Sequence, residues 1–259
     1  MSSLNMNRYL LASFIAGLLI ISQNNAHAEW DTAYLMNLGL ISSTHAASLQ
    51  EGAYNELKAH VLNELANSWC SQEKAVLIMD LMMLERPRVC VEIGVFNGAS
   101  LLPAAATLKY LAQGDIYAID PWSNQEATKN MDAADPNKFW WDQVDLESVY
   151  HSCHAMLSKW NLQFQCHVMP CTSEAAAKYL NRIDFLHMDG DYSTKGSLLD
   201  VQLYLPKVKK GGYILFSNLF LSVDNKQPKM KAFSQLLDSC EIICEVDHNN
   251  SALLRKIVD

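Results

Sequence analysis

The chain has 259 residues, of which 50% are hydrophobic and 19% are charged, and its formal net charge is −8. This length and composition fit one globular α/β domain and exclude a fibrous or disordered protein. The negative charge argues against a nucleic-acid partner, because proteins that bind a phosphate backbone usually present a basic face.

The first 28 residues have the pattern of a targeting segment. Arg8 supplies a positive charge, residues 9–22 form an apolar run, and Ala26-His27-Ala28 resembles a cleavage site. The run is shorter than the roughly 20 apolar residues that span a bilayer. We expect a cleavable signal peptide that exports the protein to the periplasm or the exterior. An uncleaved membrane anchor or a buried N-terminal helix is the alternative.

Seven cysteines are spread along the chain, and none of them forms the C-x-x-C spacing typical of zinc sites. The odd number leaves at least one thiol unpaired, and an exported protein could oxidise some of the others. The sequence does not identify the pairs. Cys90 lies inside an apolar run, where a cysteine usually acts as a small buried hydrophobe.

Residues 29–87 are predicted to form a helical segment ahead of the main domain. One helical face is predicted from spacing to contain Leu57, His60, Val61, Glu64 and Leu65. A second helix is predicted over Glu73–Leu84, which is a run of good helix formers. Arg86-Pro87 ends this segment, because proline restricts the residue before it.

From Arg88 to the C-terminus, short apolar runs alternate with amphipathic stretches, which predicts one domain over residues 88–259. The predicted strands are Val89–Ile93, Asp115–Ile119, Gln165–Met169, Ile183–Met188 and Gly212–Phe216, followed by an antiparallel pair, Glu241–Val246 and Ser251–Ile257. The predicted helices are Ala99–Ala112, Thr172–Leu180, Lys195–Tyr204 and Lys229–Ser239. The alternation predicts an α/β fold with a mainly parallel sheet covered on both faces. Residues 124–161 are polar and rich in tryptophan, which favours an insertion or lid.

A glycine turn follows the first predicted strand. The strand ends near Glu92, and Gly94 and Gly98 then open a helix. Glycine at such a turn lets the backbone approach a ligand that a Cβ atom would exclude. The G-x-x-x-G spacing differs from the G-x-G-x-x-G pattern of dinucleotide-binding proteins, so an NAD or nucleotide-sugar enzyme is disfavoured.

Asp120 ends the second predicted strand, 22 positions after Gly98. An acidic residue at this place can accept hydrogen bonds from ribose hydroxyls. Together with the glycine turn it predicts an adenosyl ligand at the carboxyl edge of the sheet.

Three segments carry a resemblance to a known family. Residues 92–102 resemble the glycine loop of small-molecule O-methyltransferases of the catechol and caffeoyl-CoA type. Residues 184–192, which contain the Asp-Gly-Asp run at 189–191, and residues 205–216 are similar to the same superfamily, closest to macrolide-sugar O-methyltransferases. The resemblance covers roughly residues 88–218.

The resemblance implies a Rossmann-like, seven-stranded class I methyltransferase sheet with an N-terminal helical extension. It implies S-adenosylmethionine as the cofactor and a small-molecule acceptor, a sugar or a phenol, that is methylated on oxygen. The cofactor-binding residues it indicates are Glu92, Gly94, Gly98, Ser100, Asp120 and Thr172.

Many relatives hold a divalent cation between a carboxylate after the fourth strand and an acidic pair after the fifth. Mg²⁺ suits such oxygen ligands and would lower the pKa of an acceptor hydroxyl. Asp189 matches the first position, whereas the pair is replaced by Ser217-Asn218, so one carboxylate is missing. The resemblance implies a possible Mg²⁺ site built on Asp189 and Asn218, with Asp191 as a candidate to replace the missing carboxylate.

The catalytic base of these relatives, a histidine or lysine, is replaced here by Tyr192. Asp189, His187 and Asp191 are the candidate catalytic residues. His187 alternates with apolar neighbours and fits a core histidine equally well, and Asp191 fits a cap of the next helix.

Trp122, Trp140 and Trp141 are candidate walls of an acceptor pocket, although a structural role suits the last two equally well. The main alternative function is an exported Rossmann-like protein that binds S-adenosylmethionine or a nucleoside without catalysis. Ser217 and Tyr192 favour this alternative, and so does the export signal, since S-adenosylmethionine is made in the cytosol. The sequence does not predict an oligomeric state.

Overall fold

The computed structural model of the protein describes residues 52–133, 135–220 and 227–259. The predicted signal peptide, residues 1–28, lies outside the described residues, as does the stretch 29–51 of the predicted helical segment. The division of the chain at residues 87 and 88 therefore stays a prediction. All described residues belong to one compact unit.

Two helices precede the sheet, α1 (Gly52–Glu64) and α2 (Gln72–Glu85). The buried side of α1 contains Tyr54 and Val61, whereas His60 and Glu64 are exposed, so the predicted face was wrong at those two positions. The Tyr54 hydroxyl donates a hydrogen bond of 2.7 Å to Asp80 of α2, which fixes the side of α1 that faces inward.

The helix α2 has a defined beginning and end. The Ser71 hydroxyl accepts a hydrogen bond from the Lys74 amide, as expected of an N-terminal capping serine. At the other end Arg86 has a left-handed φ of 47° and its amide bonds to the Met82 carbonyl. This termination directly precedes Pro87, as the sequence predicts.

Seven strands form one sheet in the order β3-β2-β1-β4-β5-β7-β6. Their bounds are β1 Val89–Ile93, β2 Asp115–Ile119, β3 Cys166–Met169, β4 Ile183–Met188, β5 Val208–Ser217, β6 Cys240–Val246 and β7 Ser251–Lys256. β1 to β5 pair in parallel, and β7 is antiparallel to both β5 and β6. The predicted fold class and the predicted antiparallel ending are confirmed.

Helices cover both faces of this sheet. After α1 and α2 they are α3 Leu101–Tyr110, α4 Asn124–Thr128, α5 Pro136–Gln143, α6 Leu146–Lys159, α7 Ser173–Ala176, α8 Thr194–Tyr204 and α9 Met230–Leu237. The predicted helix Thr172–Leu180 is shorter than expected, because α7 gives way to a 3₁₀ turn at Ala177–Tyr179. The predicted insertion over residues 124–161 consists largely of α4, α5 and α6.

The strand β5 begins at Val208, earlier than the predicted Gly212, because its pairing with β4 is irregular. Ile183 pairs with Val208 while Phe185 pairs with Tyr213, so β5 contains extra residues between the two pairs. Gly211 has φ +77° in this stretch, a conformation that glycine adopts readily. The prediction missed the first half of the strand because glycine and lysine there hide the apolar pattern.

The central strands are apolar on both faces, as a sheet covered by helices on each side requires. Val91, Leu186 and Ile214 are fully buried in one core cluster together with Tyr204 of α8 and Leu236 of α9. Burial of this apolar surface is the main favourable contribution to folding. Within the described ranges, no helix is long and apolar enough to cross a membrane.

All seven cysteines are free thiols. Cys90 is fully buried between apolar neighbours, which confirms its predicted role as a small hydrophobe. Burial raises the pKa of the Cys90 thiol well above its usual range. This thiol is therefore protonated and unreactive at neutral pH.

Candidate cofactor and acceptor site

A cavity of about 680 Å³ opens at the carboxyl edge of the parallel strands. Loops after five strands contribute to it, represented by Gly94, Asp120, Thr172, Asp189 and Asn218. β1 lies between β2 and β4, so the chain order reverses at this point of the sheet. Ligands of open α/β sheets bind at such a reversal, and the volume suits a cofactor together with a small acceptor.

Gly94 and Gly98 both have positive φ, but they serve different contacts. A Cβ atom on Gly94 would lie 2.4 Å from the backbone oxygen of Asp189, so this glycine lets the loop after β1 approach the loop after β4. A Cβ on Gly98 would meet the Met156 side chain of α6 at 2.5 Å. Gly94 lines the cavity, whereas Gly98, predicted to bind the cofactor, is placed by the structure at a helix contact.

Asp120 holds the glycine loop in shape. One carboxylate oxygen accepts hydrogen bonds from the backbone amides of Val95 and Phe96 at 3.0 Å each. The other accepts one from the Trp122 amide at 2.8 Å. Burial raises the pKa of Asp120, and the three amides oppose that change. Asp120 also lines the cavity, where a predicted ribose would be bound.

Glu92 lies beneath the cavity and does not line it. Its carboxylate is 1% exposed and accepts a hydrogen bond of 2.5 Å from the Ser100 hydroxyl. Ser100, at the start of α3, does line the cavity. The structure therefore makes Glu92 a positioning residue for Ser100, where the sequence predicts direct contact with the cofactor.

His187 is also buried beneath the cavity and is 1% exposed. Its Nδ1 lies 3.3 Å from Glu92 and its Nε2 lies 3.0 Å from the Ser217 hydroxyl. The distance from Nε2 to the Asp189 carboxylate is 3.8 Å. The predicted alternative of a core histidine fits this location, since His187 does not line the cavity itself but contacts Asp189, which does, and Glu92, which bonds to Ser100.

Asp189 and Asp191 both line the cavity. The Asp189 carboxylate accepts a short hydrogen bond from the Asn218 side-chain amide. Asp191 accepts hydrogen bonds of 2.7 Å from the Asn130 side chain and from the Ser193 amide. Asp191 thus stabilises the turn before α8, which matches its predicted capping alternative. Of the two carboxylates, Asp189 accepts fewer hydrogen bonds from the surrounding protein.

Thr172, predicted to bind the cofactor, lines the cavity as the N-terminal cap of α7. Its neighbour Ser173 donates a hydrogen bond of 2.5 Å to Asp200 of α8. Burial raises the pKa of Asp200 to about 6, against the opposing effect of Ser173.

Aromatic side chains rim one side of the cavity. Trp140 and Trp141 line it, as predicted for acceptor walls. Trp122 does not line it, because its indole N–H is bonded to the Phe96 carbonyl at 2.8 Å. Trp69, which is 67% exposed, stacks on Phe96 with ring centroids 4.7 Å apart. No sequence pattern singles out Trp69 or Phe96 as a pocket wall, since neither lies in the Trp-rich stretch.

Two charged residues that the sequence did not single out also line the cavity, Lys74 of α2 and Asp247 after β6. The Lys74 ammonium lies 3.0 Å from the Asp247 carboxylate. Lys74 occurs in a run of good helix formers, where a lysine usually faces solvent. Only the docking of α2 and the β6–β7 turn on this edge of the sheet brings the two together.

The residues around Asp189 do not fit the predicted Mg²⁺ site. An Asn218 amide group donates to the carboxylate, and Ser217 bonds to the Lys74 ammonium at 3.3 Å. A divalent cation needs several oxygen ligands with free lone pairs, and an ammonium beside them opposes its binding. Across residues 52–133, 135–220 and 227–259, no cluster of three or more histidine, cysteine or acidic side chains has the arrangement of a metal site.

Comparison with known proteins agrees with this architecture. Residues 91–219 match the family model described as a methyltransferase domain. No curated protein sequence matches the chain at a significant level.

Several solved structures superpose on the chain at low sequence identity. The O-methyltransferase NovP does so with a TM-score of 0.56 and 13% identity, over 76% of this chain and 80% of that one. A Streptomyces achromogenes O-methyltransferase involved in tomaymycin synthesis, solved with S-adenosylmethionine, gives a TM-score of 0.52 and 14% identity, over 91% and 100%. A Podospora anserina methyltransferase bound to S-adenosylhomocysteine gives 0.53 and 13%, over 78% and 88%.

The family match covers the glycine loop, Asp120 and Asp189, and the solved structures superpose on the fold of the chain. The predicted family and fold are confirmed. Residues 91–219 therefore form a methyltransferase domain, and the chain has the fold of the class I S-adenosylmethionine-dependent O-methyltransferases.

Proposed function

We propose that the protein transfers the methyl group of S-adenosylmethionine to a hydroxyl oxygen of a small molecule. The observation that carries this proposal is the cavity at the strand reversal, which combines a glycine loop, a half-buried acidic residue after β2 and a carboxylate after β4. The O-methyltransferase titles of the superposed structures support the choice of oxygen as the methylated atom.

We assign cofactor binding to one side of the cavity, which is formed by Gly94, Ser100, Asp120 and Thr172. When bound, S-adenosylmethionine supplies a methyl group made electrophilic by its sulfonium. Asp120 offers its remaining lone pairs to ribose hydroxyls, as acidic residues at this position do. Ser100 lies at the first turn of α3, where the helix dipole favours a negatively charged group.

The acceptor belongs to the opposite side, between Asp189 and the aromatic rim of Phe96, Trp140 and Trp141. Flat aromatic walls hold a planar ring well, so a phenol fits this side better than an aliphatic alcohol. Asp189 accepts the hydroxyl proton as the acceptor oxygen bonds to the methyl carbon. Much of the rate then comes from holding oxygen and methyl carbon close together and aligned.

The test is turnover by the full-length protein with S-adenosylmethionine and a panel of phenols, catechols and sugars. We expect formation of S-adenosylhomocysteine and a methylated phenol, and a fall in kcat of at least about 100-fold for Asp189→Asn, because general-base catalysis is typically worth that much. A folded protein that binds S-adenosylmethionine but methylates nothing would favour the non-catalytic alternative, which no observation on the described residues supports.

We also propose that residues 1–28 direct export and are then removed, with retention as a membrane anchor as the alternative. The support is the charge and apolar pattern of the sequence alone. N-terminal sequencing of the protein from the exported fraction should begin at Glu29. An intact N-terminus in a membrane fraction would instead indicate the anchor.

A further inference from the structure

The helix α2 brings a buried lysine to the acceptor side of the cavity. Lys74 is 6% exposed, and its ammonium is 3.0 Å from Asp247 and 3.3 Å from the Ser217 hydroxyl. Lysine has three N–H donors, and these two acceptors are its side-chain partners within the described part of the chain. A third N–H therefore remains for an oxygen atom in the cavity.

The position of Lys74 corresponds to the gap left by the missing carboxylate. Ser217 stands where relatives with a metal have an acidic residue, and it bonds to both Lys74 and His187. His187 in turn lies 3.8 Å from Asp189. Lys74 and Asp189 thus flank the same buried Ser217–His187 pair.

Lys74 keeps its charge in this environment. Burial alone would lower the pKa of its ammonium, but attraction to Asp189 and Asp247 outweighs burial, so the pKa lies above its usual value. A second buried lysine, Lys229, has its Nζ 4.7 Å from the Phe216 ring and 3.5 Å from the Met188 carbonyl oxygen. Burial lowers the pKa of Lys229, whereas the pKa of Lys74 is raised.

We propose that the Lys74 ammonium contacts the acceptor oxygen beside Asp189 and supplies the positive charge that a divalent cation supplies in metal-dependent relatives. This inference rests on the proposed function. It makes Lys74, which lies outside the matched methyltransferase domain, a catalytic residue, and it makes methyl transfer independent of Mg²⁺.

The reaction balances with a fixed positive charge at Lys74. The O–C bond forms as the S–C bond breaks, and the electron pair of the S–C bond stays on sulfur as a neutral thioether. The hydroxyl proton passes to Asp189 and then to solvent. Lys74 gives up no proton, and it stabilises the negative charge that develops on oxygen, as preorganised donors in active sites do.

The experiment compares Lys74→Met with the matched control Lys58→Met. Lys58 also pairs with a carboxylate, Asp80 at 2.9 Å, but it is not part of the cavity wall. We expect Lys74→Met to lower kcat by about 100-fold or more, the effect of removing one donor to a developing oxyanion. Its affinity for S-adenosylhomocysteine should stay within about twofold of wild type, since Lys74 lies on the acceptor side. Lys58→Met should keep the wild-type kcat, and EDTA or added Mg²⁺ should not change wild-type turnover.

Loss of wild-type activity in EDTA with recovery in Mg²⁺ would overturn the inference, and so would equal kcat values for the two variants. If Lys74→Met does not fold, titration of Mg²⁺ into the wild-type complex with S-adenosylhomocysteine decides the matter. If Mg²⁺ produces no heat of binding, the inference is supported. If Mg²⁺ binds stoichiometrically, the inference is overturned. Absence of wild-type turnover with every acceptor contradicts the proposed function instead, and it is recognised before any variant is compared.

Discussion

At the scale of single residues, the carboxylate of Asp120 shapes the site before any ligand is bound. It joins the loop after β1 to the turn after β2 through three backbone amides, those of Val95, Phe96 and Trp122. Hydrogen bonds to a charged group contribute about 1.5–3 kcal/mol each. Loss of this carboxylate therefore disturbs the whole cofactor side of the cavity.

Replacement of Asp120 tests that role. We expect Asp120→Ala to weaken S-adenosylhomocysteine binding by at least about tenfold relative to Asp120→Asn, since the amide oxygen of asparagine can still accept part of the loop's hydrogen bonds. Isothermal titration of both variants measures the difference. Equal affinities would show that Asp120 neither shapes the loop nor contacts the cofactor.

Gly94 gives a second test at this scale. Gly94→Ala adds a Cβ atom 2.4 Å from a backbone oxygen at φ +84°, whereas Gly211→Ala adds one at φ +77° with its nearest neighbour 3.8 Å away. Both variants carry the cost of a left-handed alanine, about 1–2 kcal/mol. Gly94→Ala should lose at least about 2 kcal/mol more, because the backbone of the loop after β4 must move.

Urea denaturation of the two glycine variants gives the comparison. Similar free energies of unfolding would mean that the Gly94 loop does not pack tightly against the Asp189–Gly190 backbone.

At the scale of secondary-structure elements, most strands were predictable from the sequence. The contribution of helix α2 to the acceptor side of the cavity was not. β2 and β4 match their predicted bounds because each is an apolar run closed by polar turns. The Trp-rich stretch over residues 124–161 could be recognised as an insertion by its composition. The packing of α2 against the cavity could not, because a tertiary contact leaves no periodic signal in the chain.

The side chain of Asn124 links the first helix of the insertion, α4, to the C-terminal end of α5. Asn124 donates hydrogen bonds to the carbonyls of Trp141 at 2.7 Å and Val144 at 2.9 Å. Asn124→Ala should loosen the Trp141 wall, raising the acceptor KM several-fold, as loss of about 1 kcal/mol of hydrogen bonding implies. S-adenosylhomocysteine affinity should not change. Steady-state kinetics beside Ser152→Ala, an exposed position on α6, checks this, and an unchanged acceptor KM would contradict it.

At the scale of the whole molecule, the site depends on the carboxyl edge of the sheet and on segments outside the matched domain. The glycine loop and Asp120 were predictable from strand ends and spacing, and Asp189 was predictable from the family resemblance. The sequence assigned Glu92 and Gly98 to the cofactor, whereas neither lines the cavity, and it left His187 open between a catalytic and a core role. The alternation of residue types cannot distinguish a side chain that lines a cavity from one that lies just beneath it.

Buried carboxylates also set the pH dependence of stability. The pKa of Asp200 is raised by burial to about 6, so the folded state binds its proton more tightly than the unfolded chain, whose pKa is about 3.9. The stability from this group is complete below the unfolded value and is lost as the pH rises through about 6. Asp200→Asn should therefore gain stability relative to wild type at pH 8, and the gain should vanish near pH 4.

Asp184 provides a control of opposite sign. Burial would raise the pKa of Asp184, but the Lys209 ammonium at 2.6 Å and the Val89 and Arg88 amides outweigh burial and lower it. Its stabilisation is present above the unfolded pKa and is lost as the pH falls. Asp184→Asn should therefore destabilise the protein at pH 8, with a smaller cost at pH 4. Thermal melts of both variants across this range decide the signs, and parallel pH profiles would contradict the assignment.

The most direct test of the account is a crystal structure of the protein with S-adenosylhomocysteine. We predict that the ribose lies at Asp120 and the sulfur points across the cavity toward Asp189, with Lys74 and the aromatic rim left facing an acceptor. A ligand bound elsewhere, or with its sulfur turned away from Asp189, would contradict methyl transfer in this cavity.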